Sequence, residues 1–208
     1  MNHNAKPSSN PLRALAALAI GAALTLSACS GPVDAGPGEP PLAGADIGGE
    51  FALSGPGGET VRWSDFDGRY RIVYFGYAYC PDICPTDVQR MTQGLNIASE
   101  ADPDLAPKVQ PIFITIDPER DTREVVDEFT GAFSERLIGL TGTPDQVKAA
   151  ADTFRVYYEK GESTPDGSYL MNHSNIVYLF GPSGEPLATL PVDQGADAVA
   201  AEIAKWVS

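Results

Sequence analysis

Basic residues are in short supply in this chain. It carries 14 Lys and Arg against 28 Asp and Glu, and Lys6 and Arg13 are the only basic ones ahead of Cys29, so the part from Cys29 onward has a formal charge near −16. Nucleic-acid binding is thereby excluded, because phosphate contacts need a basic face. The acidic surface either aids solubility or steers the domain toward a basic partner or a cation. Apolar runs are short too: the Ala-rich stretch from Ala14 to Ala28 has 15 residues, fewer than the about 20 that a membrane-crossing helix requires. No segment repeats at a fixed period, which sets aside solenoids and propellers. Histidine and cysteine are scarcest among the reactive types, with His3 and His173, and Cys29, Cys80 and Cys84.

The apolar stretch follows a short positive region and ends in LSAC, Leu26 to Cys29. Residues 1–28 therefore read as a secretory leader. A small-residue site followed directly by Cys resembles the lipobox of bacterial lipoproteins, which implies cleavage before Cys29 and lipidation of its thiol. Ordinary signal cleavage, or an uncleaved anchor, is the alternative. With Cys29 lipidated, Cys80 and Cys84 have only each other as intramolecular partners, and an exported compartment permits them to oxidise. Residues 29–46 are rich in Pro, Gly and Ala without periodicity, a flexible tether. The folded part then runs over 47–208, one domain by length.

Within it, GEFALSG and ETVRWSDF flank a Pro-Gly-Gly turn and predict an N-terminal β-hairpin. RYRIVYFGYAY and VQPIFITID are β-branched and aromatic, the pattern of buried central strands. Val88, Met91, Leu95 and Ala98 recur at helical spacing after Pro85. DTREVVDEFTGAF predicts a helix capped by Asp121 or Thr122, and TPDQVKAAADTF one that opens with Thr143 at the N-cap and Pro144 at the next position. LIGLTG, RVYYEK, NHSNIVYLF and PLATLPV read as strands, and ADAVAAEIAKWV as a last helix. Strands alternating with helices predict an α/β layer architecture, a sheet covered on both faces.

YCPDICP, Tyr79 to Pro85, follows the first central strand. Two thiols four positions apart suit a structural disulfide, a redox couple or a metal site. A cysteine pair between a central strand and a helix N-terminus matches the thioredoxin-like plan, because the helix end favours a thiolate. Cys84 precedes Pro85, which biases it away from helical geometry and places Pro85 at the first helical position. Both cysteines are then expected on the exposed loop at the strand's C-terminal end. The spacing is wider than the C-x-x-C of thioredoxin-type reductases, and two thiolates suit Cu(I) or Zn. His173, the one histidine after Cys29, is either a third ligand or an ordinary hydrogen-bonded histidine.

From about Ile47 to Val207 the chain resembles the Sco/SenC family of copper chaperones. YFGYAYCPDICP is similar to the family's strand and C-P-x-x-C-P loop, ITIDPERDT to its aspartate-proline loop, and NHSNIVYLFGPSG to its histidine segment. The resemblance implies a thioredoxin-like fold, a central mixed sheet flanked by helices, anchored to a membrane of the cell envelope. It implies copper, as Cu(I) or Cu(II), held by Cys80, Cys84 and His173. The implied partners are a copper donor protein and apo cytochrome c oxidase subunit II, whose CuA centre receives the metal. Two positions depart from the family pattern. Asn172 stands where Asp often precedes the histidine, and it can orient the imidazole without supplying charge. Tyr79 stands where Phe or His often precedes the first cysteine, so no extra ligand is in reserve. Asp117 is either a carboxylate supporting the site or a turn residue before Pro118, and Asp82 a turn former or a partner contact. Met91 reads as core and Met171 as a soft thioether near the site; Tyr77 and Tyr79 read as packing or docking aromatics. The rival function is a thiol–disulfide oxidoreductase using Cys80 and Cys84 as a redox pair to keep the cysteines of an exported partner reduced. A peroxidase would need one low-pKa cysteine with fast peroxide turnover.

Overall fold

A computed structural model of the protein describes Met1 and residues 38–208. Residues 2–37, where a leader, a lipidated Cys29 and the first part of a tether are expected, lie outside the described residues. The last part of the tether, from Pro40 to Asp46, lies against the domain. Leu42 donates its N–H to the Leu187 carbonyl at 3.0 Å, the side chains of Leu42 and Ile47 pack on the core, and the Arg155 guanidinium pairs with Asp46. Composition alone hid this, because the one large apolar side chain that fastens the stretch, Leu42, sits among Pro, Gly and Ala.

Two short strands, β1 (Ala52–Ser54) and β2 (Thr60–Arg62), form the expected antiparallel hairpin. The central sheet contains β3 (Tyr70–Gly76), β4 (Val109–Thr115), β5 (Ile138–Leu140), β8 (Val177–Phe180) and β9 (Pro186–Leu190). Its order is β5-β4-β3-β8-β9; β3, β4 and β5 run parallel, and β8 and β9 are antiparallel to their neighbours. Every residue of β3 and β4 is buried, as the two β-branched, aromatic runs predict. A separate two-stranded ribbon joins β6 (Tyr158–Lys160) to β7 (Met171–His173). NHSNIVYLF is therefore two strands, β7 and β8, where the sequence suggested one. Ser174 extends the β6 pairing by one residue: its N–H bonds the Tyr157 carbonyl and its Oγ accepts from the Tyr157 N–H, so the chain leaves the ribbon only after Ser174 and joins the central sheet at Val177.

The four helices are α1 (Ile83–Ala101), α2 (Arg123–Gly131), α3 (Pro144–Thr153) and α4 (Ala196–Trp206). α1 and α4 pack against each other, α2 against β5, and α3 against β1. The Gly94 backbone is where α1 and α4 meet, since a Cβ there would lie 2.4 Å from Val199 Cγ1 and 2.9 Å from the Ala196 carbonyl. Thr143 caps α3 in a reciprocal box with Gln146, and Thr122, not Asp121, caps α2. Among the described residues no helix is long and apolar enough to cross a membrane.

Candidate metal centre

β3 delivers the chain to the site. Beyond Gly76 the segment Tyr77–Pro81 turns, and α1 starts at Ile83 with Asp82 at its N-cap. Cys84 is thus the second residue of the helix and Pro85 the third, two positions deeper than the proline rule suggested. Proline costs nothing there: the N–H groups of the first turn have no partner within the helix, so the missing one is not needed. Placing Cys84 in the helix also buries it completely, whereas Cys80 is half-buried on the loop. The expectation that both thiols share an exposed loop is corrected accordingly. Gly76 makes the room, since a Cβ at that position would stand 3.2 Å from Cys84 Sγ.

The two thiols and the histidine converge. The Cys84 N–H, free at the helix N-terminus, donates to Cys80 Sγ at 3.3 Å. Cys84 Sγ lies 3.4 Å from His173 Nε2. His173 Nδ1 is 3.0 Å from the Ser174 carbonyl; a carbonyl can only accept, so that bond puts the ring proton on Nδ1 and turns the Nε2 lone pair toward the sulfur. The rings of Tyr77 and Tyr74 stand edge-on to the imidazole at 6.0 and 6.3 Å. The hydrogen bond with Cys84, aided by His173 and the helix N–H groups, pulls the Cys80 thiol down to about 3 against an opposing burial effect. The same bond and burial push Cys84 up. The two shifts run in opposite directions and favour the thiolate at Cys80.

Among the described residues no three His, Cys, Asp or Glu side chains are gathered to hold a metal ion as they stand, yet the pair Cys84–His173 already has a ligand-edge spacing. Metal–sulfur and metal–nitrogen bonds of about 2.3 and 2.0 Å at a tetrahedral angle put the donors about 3.5 Å apart. Cys80 Sγ, which accepts from the Cys84 N–H, lines the same opening as His173. Soft sulfur and imidazole donors fit copper. The site opens to solvent through a depression of about 340 Å³ lined by Cys80, Pro81, Ile83, Leu170 and His173. Of the exposed large apolar side chains among the described residues, Tyr79, Ile83 and Leu170 flank this region.

The other sequence candidates separate. Asn172 turns its amide to Glu159 Oε1 at 3.3 Å; successive strand residues point to opposite faces, so it does not touch the imidazole of His173. Its place as the orienting group is taken by the Ser174 carbonyl. Asp117 is buried but meets Arg120 and Tyr169 (2.5 and 2.9 Å), not the sulfurs. Met91 is core, whereas Met171, half-buried against the core, lines the same depression as Cys80 and His173. Sequence reading missed Tyr74, Asp87 and Arg120. Tyr74 donates to Asp87 Oδ2 at 3.2 Å directly beneath the site, and burial raises the Asp87 carboxyl. The signal was present: Asp87 is three residues after Cys84 on the same helix face. Asp121, offered only as a cap, accepts from the Ala78 N–H at 2.8 Å and ties the cysteine loop to the segment after β4.

A strand–loop–helix with paired thiols at the helix end, on a mixed sheet, defines a thioredoxin-like protein carrying an additional histidine. The SCO1/SenC family model matches residues 39–208, and the chain belongs to that family. The Homo sapiens mitochondrial SCO1 homolog is 39% identical over 159 residues, covering 76% of this chain and 52% of that protein. The chain spans about half the length of the first relatives it matches. The crystal structure of Arabidopsis thaliana ScoI with copper bound is similar at 36% identity and TM-score 0.71, over 76% of this chain and 96% of that one. A thioredoxin domain of a thiol-disulfide oxidoreductase from Bacteroides vulgatus shares the fold at 18% identity and TM-score 0.53, over 78% of this chain and 96% of that one.

Proposed function

We propose that the protein is a copper metallochaperone. It captures copper through Cys80, Cys84 and His173 and passes it by ligand exchange to the CuA site of apo cytochrome c oxidase subunit II. The observation that carries this reading is the approach of His173 Nε2 to Cys84 Sγ at 3.4 Å, with its lone pair presented, beside Cys80. A redox pair has no need of the imidazole, and a metal site does. A copper donor protein loads the site. Lipidated Cys29 holds the domain at a membrane of the cell envelope, which limits the search and raises the effective concentration at the partner. The apolar side chains flanking the opening exclude water during transfer.

The second reading is a thiol–disulfide oxidoreductase, favoured by the asymmetry of the pair: a half-buried thiolate at a helix N-terminus over a buried partner thiol. Attack through Cys80 and resolution by Cys84 follow from that geometry. An anaerobic Cu(I) competition titration of the reduced protein separates the two. Tight one-to-one binding is expected, lost in the Cys80→Ser/Cys84→Ser double variant and severely weakened in His173→Ala. Binding indifferent to His173, with a reduction potential near the thioredoxin value of about −270 mV, would transfer the assignment to the reductase.

A further inference from the structure

We propose that Arg120 is the positioning residue of the site: it pins the chain that carries His173 to the loop that carries Cys80. The inference rests on the copper reading for its consequence and on geometry for its substance. His173 lies on β7, which pairs only with β6, as Tyr158↔His173, Glu159↔Asn172 and Lys160↔Met171, in a ribbon separate from the central sheet. An isolated two-stranded ribbon is marginal in water. On its C-terminal side His173 is fixed by β8, which starts at Val177. On its N-terminal side the chain passes through the turn at 161–170, and there Arg120 takes hold.

Arg120 Nη1 donates to the Tyr169 carbonyl at 2.9 Å. Its guanidinium lies 3.6 Å from the Tyr169 ring centroid. The Tyr169 hydroxyl donates to Asp117 Oδ1 at 2.9 Å, while Arg120 Nε donates to Asp117 Oδ2 at 2.5 Å. The closed set of Arg120, Asp117 and Tyr169 locks the turn to the segment after β4. On its other side the same guanidinium faces Tyr79 at 5.3 Å and Tyr77 at 5.7 Å, the aromatics that precede Cys80. Arg120 Nη2 is buried without a hydrogen-bond partner, and the guanidinium as a whole lies within the range of cation–π attraction of these rings. One planar cation thus touches both halves of the site, and neither half is bonded to the other by the main sheet at that point. Removing it frees the His173 segment while β3 and β4 keep their ladder.

The test uses the full chain, with Arg120→Met, Arg120→Lys, His173→Ala and the double variant Arg120→Met/His173→Ala. In the reduced, metal-free protein, Arg120→Met is expected to raise amide exchange across 161–173 by tenfold or more. Exchange in β3 and β4 stays unchanged, which shows that the fold persists. The imidazole ring-proton shifts that Tyr74 and Tyr77 impose on His173 are lost. Cu(I) affinity falls about ten- to a hundredfold, the range for removing a group that orients a ligand, and falls no further when Arg120→Met is added to His173→Ala. Arg120→Lys restores none of these, because an ammonium lacks the planar fork. Unchanged exchange and ring shifts, full rescue by Lys, or loosened exchange with unaltered copper affinity would each overturn the positioning role. If the unaltered protein binds no copper, the copper reading fails by itself, and the exchange and ring shifts still decide whether Arg120 pins His173.

Discussion

At pH 5 the reduced, metal-free protein is expected to lose one thiol to iodoacetamide and keep the other. Cys80 is held as thiolate first by its hydrogen bond with Cys84 and then by His173 and the helix N–H groups, which together bring it to about 3. Cys84 is pushed up by the same bond and by burial, and it is inaccessible. The sign follows directly. A thiol with its pKa about 3 is almost fully ionised throughout the window from pH 5 to 8, so its alkylation rate is flat there. An ordinary thiol with pKa about 8.5 gains nearly tenfold per pH unit in the same window. The stabilised thiolate is also the weaker nucleophile, by a Brønsted slope of about 0.4–0.5 per unit of pKa. Cys80 should therefore outrun a free cysteine modestly at pH 5 and fall behind it at pH 8. Mass spectrometry of the alkylated peptides reads both the site and the slope. A rate that climbs tenfold per unit, or equal loss of both thiols, would show that the asymmetry between Cys80 and Cys84 does not hold in solution. The Cys84→Ser variant sharpens the test. Serine keeps a hydroxyl donor but removes the sulfur, so Cys80 should stay depressed only in part, and its rate should regain a slope at the acid end.

Much of this site was legible beforehand, for a physical reason: liganding needs particular atoms, and this chain has few of them. With a leader over residues 1–28 and a lipidated Cys29 expected, the remaining soft donors are Cys80, Cys84, His173 and two methionines, so the candidates were few, and the resemblance to the Sco/SenC family, not elimination, named the ligand set. The central strands were legible because a strand buried on both faces is mostly apolar, as IVYF and IFI are, while the buried Arg71, Gln110 and Thr115 at their ends find hydrogen-bond partners. What failed were statements about neighbours. The proline rule describes a local preference of Cys84, and the free N–H groups of the first helical turn made that preference irrelevant. Asn172 was read beside His173 because it adjoins it in sequence, but a strand sends adjacent side chains to opposite faces. Arg120 gave no signal at all. Its partners Tyr77, Tyr79, Asp117 and Tyr169 come from three loops, and no spacing in the chain announces a contact that depends on the turn at 161–170 folding back. For the same reason the ribbon carrying His173 was taken for part of the main sheet.

Replacing Phe154 by alanine is expected to cost about 3–5 kcal/mol of folding stability, the range for truncating a buried Phe. Phe154 is fully buried at the C-cap of α3. Its ring meets Trp63 at 5.2 Å, Phe75 and Phe180 at 5.4 Å, and Phe51 at 6.2 Å. These rings belong to the N-terminal hairpin region, to β3 and to β8, so one side chain joins four parts of the fold, and the aromatic pairs it forfeits are worth about 0.5–1.5 kcal/mol each beyond area. Against a total stability of about 5–15 kcal/mol such a loss brings the protein toward its margin. With a slope of about 2 kcal/mol per molar urea, the unfolding midpoint should fall by about 2 M. The site should not feel it. Phe75 and Tyr74 are adjacent on β3 and face opposite sides of the sheet, Tyr74 toward Asp87 and His173, Phe75 toward Phe154. Well below its midpoint the Phe154→Ala protein should therefore alkylate at Cys80, and bind Cu(I), as the unaltered protein does. Phe154→Leu, which refills part of the volume, should recover about half of the stability. A loss under about 1 kcal/mol would mean that the surrounding rings collapse into the space. A parallel loss of copper affinity would mean that the two faces of the sheet are coupled through β3, and the site would then owe its geometry to the core as much as to the loops around it.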